Sequence, residues 1–255
     1  MSQKLNRIDE IGINNQGMEM KIVGYRNNKD IDILFADGTL ICNQQYYVFQ
    51  SGEIKNNNIP YVNGVGYIGY GKYKCRVNGK LTEEYKIWSS MILRNYCPQY
   101  LNRQETYKEC SVCKEWLNFQ NFAKWYYENK WTDKFPLVPD KDILIKGNKE
   151  YNPNTVLLLD QRLNNLFLSH KVNRGNLPIG VRWDKERNKY VASCNTKEYN
   201  KKFIGRFDDP IEAFCAYRDF KYKRVKEIAD YYKETYNLPN RIYDAIISYK
   251  IEITD

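Results

Sequence analysis

At 255 residues the chain is too long for one small domain, and its 42% hydrophobic content is enough for two or three small cores. A formal charge of +9 favours a polyanionic partner but does not bear on the fold. The first residues, MSQKLNRIDE, hold no apolar signal core, no run approaches the roughly 18 apolar residues of a membrane span, and seven scattered cysteines read as free thiols in a reducing compartment. The expectation is a soluble, intracellular protein.

Residues 7–55 alternate in short β-like runs, MEMKIVGY, DIDILFADGTLICN and QYYVF, with Asp37-Gly38 as a hairpin turn and Asn14-Asn15-Gln16-Gly17 as another. They predict a small twisted antiparallel sheet or partly closed barrel with no catalytic grouping. Residues 59–80 read as a Gly/Tyr/Asn-rich linker. It lacks a Gly-Lys-Ser/Thr and an immediately following helix, so it is not a phosphate loop. Its tyrosines, Tyr61, Tyr67, Tyr70 and Tyr73, suit either stacking on unpaired bases or packing back on the protein.

Thr82 opens a helix that carries Trp88, Met91 and Ile92 on one face and closes at Cys97-Pro98. A second helix over about 115–129 presents Trp116, Phe119, Phe122, Ala123 and Tyr126, an apolar stripe that reads as core rather than a ligand cage. Cys110-Ser-Val-Cys113 has the spacing of half a zinc site, but no second pair completes it. Two small buried thiols at the start of the helix are preferred, and a structural zinc is not expected.

Residues 138–167 read VPDKDILIKGNKEYNPNTVLLLDQRLNNLF. Turn residues bound each apolar run, which gives strand, tight loop, strand and the start of a helix. In that arrangement Asp140, near the first strand, would face Asn165 on the helix across a divalent ion. The block resembles the HNH nuclease family in its phage form. The resemblance implies that Asp140 is the metal-binding acid, Asn154 the loop-fixing asparagine and Asn165 (or Asn164) the last metal ligand. Lys141 falls where ordinary members have the histidine base, and the only histidine, His170, follows the motif. A lysine is a poor base unless burial lowers its pKa. Lys141 would then neutralise phosphate while Asp142 or a metal-bound hydroxide acts as base, or catalysis is lost. The run TYKECSVCKEWLNFQNFAKW matches the segment preceding the block in the same phage proteins, and the β-module resembles one found at their front.

Residues 177–222 read as three short strands, 180–183, 189–195 and 202–207, joined by the turns DKERN and TKEYN. Asp208-Asp209-Pro210 caps a helix that turns Ala213, Phe214, Ala216, Tyr217 and Phe220 inward. Alternation predicts Arg182, Lys189 and Lys202 on one face and Val181 and Val191 against the helix. This stretch resembles the DNA-binding domain of plant ethylene-response factors and its relatives in phage endonucleases. Gly180-Val181-Arg182-Trp183, Lys189-Tyr190-Val191-Ala192 and Ile204-Gly205-Arg206-Phe207-Asp208 carry the likeness. It implies a sheet lying in the major groove, with Arg182, Trp183, Lys189 and Arg206 as contacts. The tail continues as helix to Tyr232, breaks near Asn237-Leu238-Pro239 and adds a helix around 242–249.

The expected fold class is α+β: a β-barrel-like module (1–58), a linker (59–80), a helical and HNH-like ββα region (81–170), a three-stranded sheet plus helix (171–235) and a last helix (236–255). The resemblances imply a metal-dependent DNA endonuclease of the homing type, using Mg²⁺ or another divalent ion. The alternative is an inactive HNH-derived DNA- or RNA-binding protein, one use of which would be inhibition of a host complex that targets nucleic acid. Duplex DNA is the favoured partner and RNA the second. The setting would be the cytoplasm of a phage-infected bacterium, with no membrane partner.

Overall fold

Period-two alternation builds the first sheet. β1 (Ile11–Ile13), β2 (Glu19–Asn27), β3 (Asp30–Phe35) and β4 (Leu40–Gln44) pair antiparallel in chain order. The register Met20↔Phe35 and Ile22↔Ile33 places Met20, Ile22, Ile31, Ile33 and Phe35 on one buried face. Asp37-Gly38 joins β3 to β4, with Gly38 at φ 84°. The sheet is open, with β1 and β4 as its edges: of the two expected forms it is the antiparallel sheet and not a closed barrel. QYYVF is not a strand. Tyr46–Gln50 is a short helix, α1, because its two buried aromatics, Tyr46 and Phe49, fall three apart rather than two.

A computed structural model describes residues 6–167, 176–195 and 202–255. They are mixed α and β and divide into two compact units, one ending at Lys72 and one from Tyr73 to Asp255. No helix among the described residues is long and apolar enough to cross a membrane.

The second unit begins inside the expected linker. β5 (Arg76–Val77) and β6 (Lys80–Leu81) form a hairpin on Asn78-Gly79, both at positive φ, as a primed turn requires. α2 (Glu83–Tyr96) buries Trp88, Met91 and Ile92, and Pro98 starts the short α3 (Pro98–Leu101). After β7 (Ser111–Val112), the helix expected over 115–129 splits. A 3₁₀ turn (Lys114–Leu117) precedes α4 (Phe119–Asn129), because the Asn118 side chain caps α4 by accepting the Gln120 N–H at 2.9 Å. Trp88 Nε1 donates to the Trp116 carbonyl at 2.7 Å and locks the two helical segments together.

The hairpin block consists of β8 (Leu137–Asp140), β9 (Glu150–Tyr151), β10 (Leu157–Asp160) and α5 (Gln161–Asn164). β8 and β10 pair antiparallel, and β9 pairs parallel with β7, which joins the Cys110–Cys113 segment to the block. Cys110 is buried and Cys113 half-buried, and burial pushes the Cys113 thiol above its ordinary pKa. The sheet that follows has β11 (Val181–Asp184), β12 (Lys189–Cys194) and β13 (Lys202–Phe207) in chain order. Asp209 caps α6 (Pro210–Tyr236), with Pro210 in its first turn; α7 (Asn240–Ser248) follows a left-handed Asn237.

α6 belongs to two cores. Its first half sets Ala213, Phe214 and Tyr217 against Val181, Ala192 and Cys194 of the sheet. Its second half packs Val225, Ala229 and Tyr232, together with Ile242 and Ile246 of α7, against Leu157, Leu159 and Leu163 of the hairpin block.

Candidate functional site

Asp140 ends a strand rather than preceding one. Its Oδ1 accepts the N–H groups of Asp142 and Ile143, both at 2.8 Å, and this turns the chain. The run Ile143-Leu144-Ile145 is therefore a bend rather than the first strand, with Ile143 buried beside Leu157 and Leu159. Burial raises the Asp140 carboxyl above the ordinary carboxylate pKa, against the pull of those two N–H bonds.

Lys141, expected at the base position, is 8% exposed. Its ammonium donates to Asp142 Oδ2 and to the Asn148 carbonyl, both at 2.7 Å. The cation is directed into the loop and holds it. Asn148 Nδ2 donates to the Glu150 carbonyl at 2.7 Å and to the Lys141 carbonyl and Thr155 Oγ1 at 3.1 Å. Asn152 Oδ1 accepts the N–H groups of Asn154 and Thr155 at 3.0 and 3.1 Å. Asn148 and Asn152 thus fix the loop. Asn154, to which the resemblance gave that role, is exposed; its backbone N–H goes to Asn152 and its carbonyl accepts from Arg241.

Asn165 is exposed as well, and its side-chain oxygen accepts from Gln161 Nε2 at 2.8 Å. In the ribbon Asp140 pairs with Leu157, whereas α5 departs from Asp160 at the opposite end, about 10 Å along the strand. A hard divalent ion wants six or more oxygens. Here one Asp140 oxygen is engaged by backbone, one Asp142 oxygen by Lys141 and the Asn165 oxygen by Gln161. Among the described residues no group of three or more His, Cys, Asp or Glu side chains is placed to hold a metal ion. His170 lies outside the described residues.

Sequence reading did not single out Asp160. It is 5% exposed, caps α5 by accepting the Arg162 N–H at 3.3 Å, and accepts the Tyr232 hydroxyl. An Asp placed between an apolar run and a polar helix start is the signal that would have found it.

The three-stranded sheet offers a different surface. Val181 pairs with Ala192, and both lie in the core beneath α6; Arg182, Val191 and Arg206 form the next cross-strand row and point the other way. Lys189 shares this outward face, as predicted, but Val191 also lies there and not against the helix. Lys202 leaves the face: a β-bulge shifts the register at Ala192/Ser193, so Lys202 pairs with Cys194, a residue of the helix-side core. Trp183 alternates with Arg182 and meets Tyr190 on the helix side, ring centroids 4.7 Å apart.

The same bulge brings Phe203 outward, opposite Ser193. It is 49% exposed, and the Arg206 guanidinium lies 4.9 Å from its ring centroid. Two carboxylates accompany the cations of this face. Lys189 is paired with Asp208, and Arg206 Nε donates to Asp184 Oδ2 at 3.3 Å. Burial would raise the Asp184 carboxyl, but the Arg206 bond and the Arg187 N–H outweigh it and hold its pKa below the usual range. Arg182 is exposed and makes no ion pair among the described residues.

No protein-family model, curated protein or solved structure matches this chain. The functional reading therefore rests on these side chains and on the resemblances noted from the sequence.

Proposed function

We propose that this is a nucleic-acid-binding protein that works through the outward face of its three-stranded sheet, with the HNH-like hairpin retained as a structural block rather than a catalytic one. The observation that carries the reading is the row Arg182–Val191–Arg206. Two arginines straddle the central strand about 10 Å apart, and Arg182 has no carboxylate partner among the described residues. Guanidinium forks suit phosphate oxygens, and an overall charge of +9 steers a polyanion toward the protein. The hairpin favours a binding role over cleavage because Lys141, one oxygen of Asp142 and the side-chain oxygen of Asn165 already serve the loop and the helix.

Fluorescence anisotropy with labelled oligonucleotides tests this on the full chain. Binding should weaken with salt, and Arg182→Ala should lower affinity and reduce the salt slope by about one phosphate contact. Salt-independent binding, or none, overturns the reading. Incubation of plasmid DNA with Mg²⁺ or Mn²⁺ should give no cleavage. Cutting that disappears in Asp140→Ala while binding persists would restore the endonuclease assignment.

A further inference from the structure

We infer that the ligand of the sheet is a single strand, one of whose bases stacks on Phe203; this rests on the nucleic-acid reading above and narrows it. Phe203 is a large apolar ring, 49% exposed, on a face where the neighbouring apolar residue, Val191, is buried. The β-bulge places it there, where unbroken alternation would have turned it toward α6. The Arg206 guanidinium, 4.9 Å from its centroid, leaves the ring partly uncovered and brings a positive charge beside whatever stacks on it.

Charge on the same face argues in the same direction. It carries Arg182, Lys189 and Arg206, but Asp208 and Asp184 pair with the last two, so Arg182 is the cation left without a carboxylate among the described residues. A duplex binder typically draws on roughly 6–10 phosphate contacts, whereas this face offers little uncompensated charge. Stacking supplies affinity without it, about 5- to 150-fold per base, and tolerates any sequence because every base has a π-face. A paired base shows only its edges in a groove, so a ring standing on a sheet reaches the face of a base that is unpaired.

The test uses the full chain, short mixed-sequence single strands of DNA and of RNA carrying one 2-aminopurine, and the matching DNA duplex. The parent should bind a single strand more tightly than the duplex and quench the 2-aminopurine; comparison of the two single strands assigns the sugar. Phe203→Ala should weaken single-strand binding by about 5- to 150-fold, abolish the quench and leave duplex affinity unchanged, while Phe203→Trp retains both binding and quench. Arg182→Ala should weaken single-strand and duplex binding alike. Duplex binding as tight as single-strand binding overturns the inference. So does an equal loss for both forms in Phe203→Ala, and in either case the proposed function stands if Arg182→Ala still reduces the salt slope. A parent that binds neither form removes the proposed function itself.

Discussion

The Tyr232 hydroxyl donates to the Asp160 carboxylate, which ties the second half of α6 to the end of β10. Burial and this bond together raise the Tyr232 hydroxyl pKa. Because the first half of α6 covers the three-stranded sheet, the bond couples that sheet to the hairpin block. Tyr232→Phe leaves a buried carboxylate oxygen without its donor and should cost about 1–3 kcal/mol. Asp160→Ala should cost about 1 kcal/mol more, because the α5 cap is lost with it. Denaturant titration reads both as a lower midpoint with unchanged slope. An unmoved midpoint in Tyr232→Phe would show that the bond contributes nothing.

Asp140 gives a pH prediction. A folded carboxyl whose pKa is raised keeps a proton where the unfolded chain has already lost it. Stability therefore falls as pH rises from about 4 through the folded value, and is level above it. Asp140→Asn keeps an oxygen for the Asp142 and Ile143 N–H groups and removes this fall. Thermal unfolding at stepped pH should show the parent losing stability relative to the variant over that window, with the variant more stable at neutral pH. Parallel curves would mean that Asp140 titrates alike in both states.

Much of the C-terminal fold was legible because local signals agreed. β11 lies one residue later than predicted because Gly180 belongs to the preceding turn, at φ 77°, and packs so tightly that an added Cβ would sit 2.1 Å from the Tyr217 ring. The bulge in β13 lies beside Gly205, a bulge signal within KFIGRF, and alternation counted from Phe207 without it misplaced Lys202 and concealed Phe203. QYYVF has strand composition with helical burial spacing, and only the finished sheet shows which face of it is buried. Asn148, Asn152 and Asn154 are all turn formers, so composition does not reveal which one holds the loop. Asp160 and Tyr232 meet across 72 residues, beyond the reach of any local pattern.

Lys141 discriminates between a structural hairpin and a working one. Its ammonium bridges Asp142 and the Asn148 carbonyl, so Lys141→Met should destabilise the unit by about 1–3 kcal/mol by leaving that carbonyl without its donor. Under conditions where the variant remains folded, its affinity for nucleic acid and its salt slope should match the parent's. A reduced slope without loss of stability would instead place Lys141 on a phosphate.

The carboxylates on the sheet face make the final prediction, because they set how much of its charge a ligand can use. Lys189 is ion-paired with Asp208, their side chains 39% and 81% exposed, so the pair contributes little to stability. Its effect on binding is larger: a lysine already facing a carboxylate releases few counterions when a phosphate arrives. Lys189→Ala should therefore change affinity less than Arg182→Ala, whose guanidinium has no such partner among the described residues. Asp208→Asn should do the reverse. It leaves the cap of α6, held by Asp209, in place while freeing Lys189. Single-strand affinity should rise, and the salt slope should steepen by about 0.7, one phosphate's share. The doubly substituted Lys189→Ala/Asp208→Asn protein should return the slope to that of Lys189→Ala, which separates a freed lysine from a general gain in positive charge. A slope indifferent to Asp208→Asn would place the phosphate path away from β12.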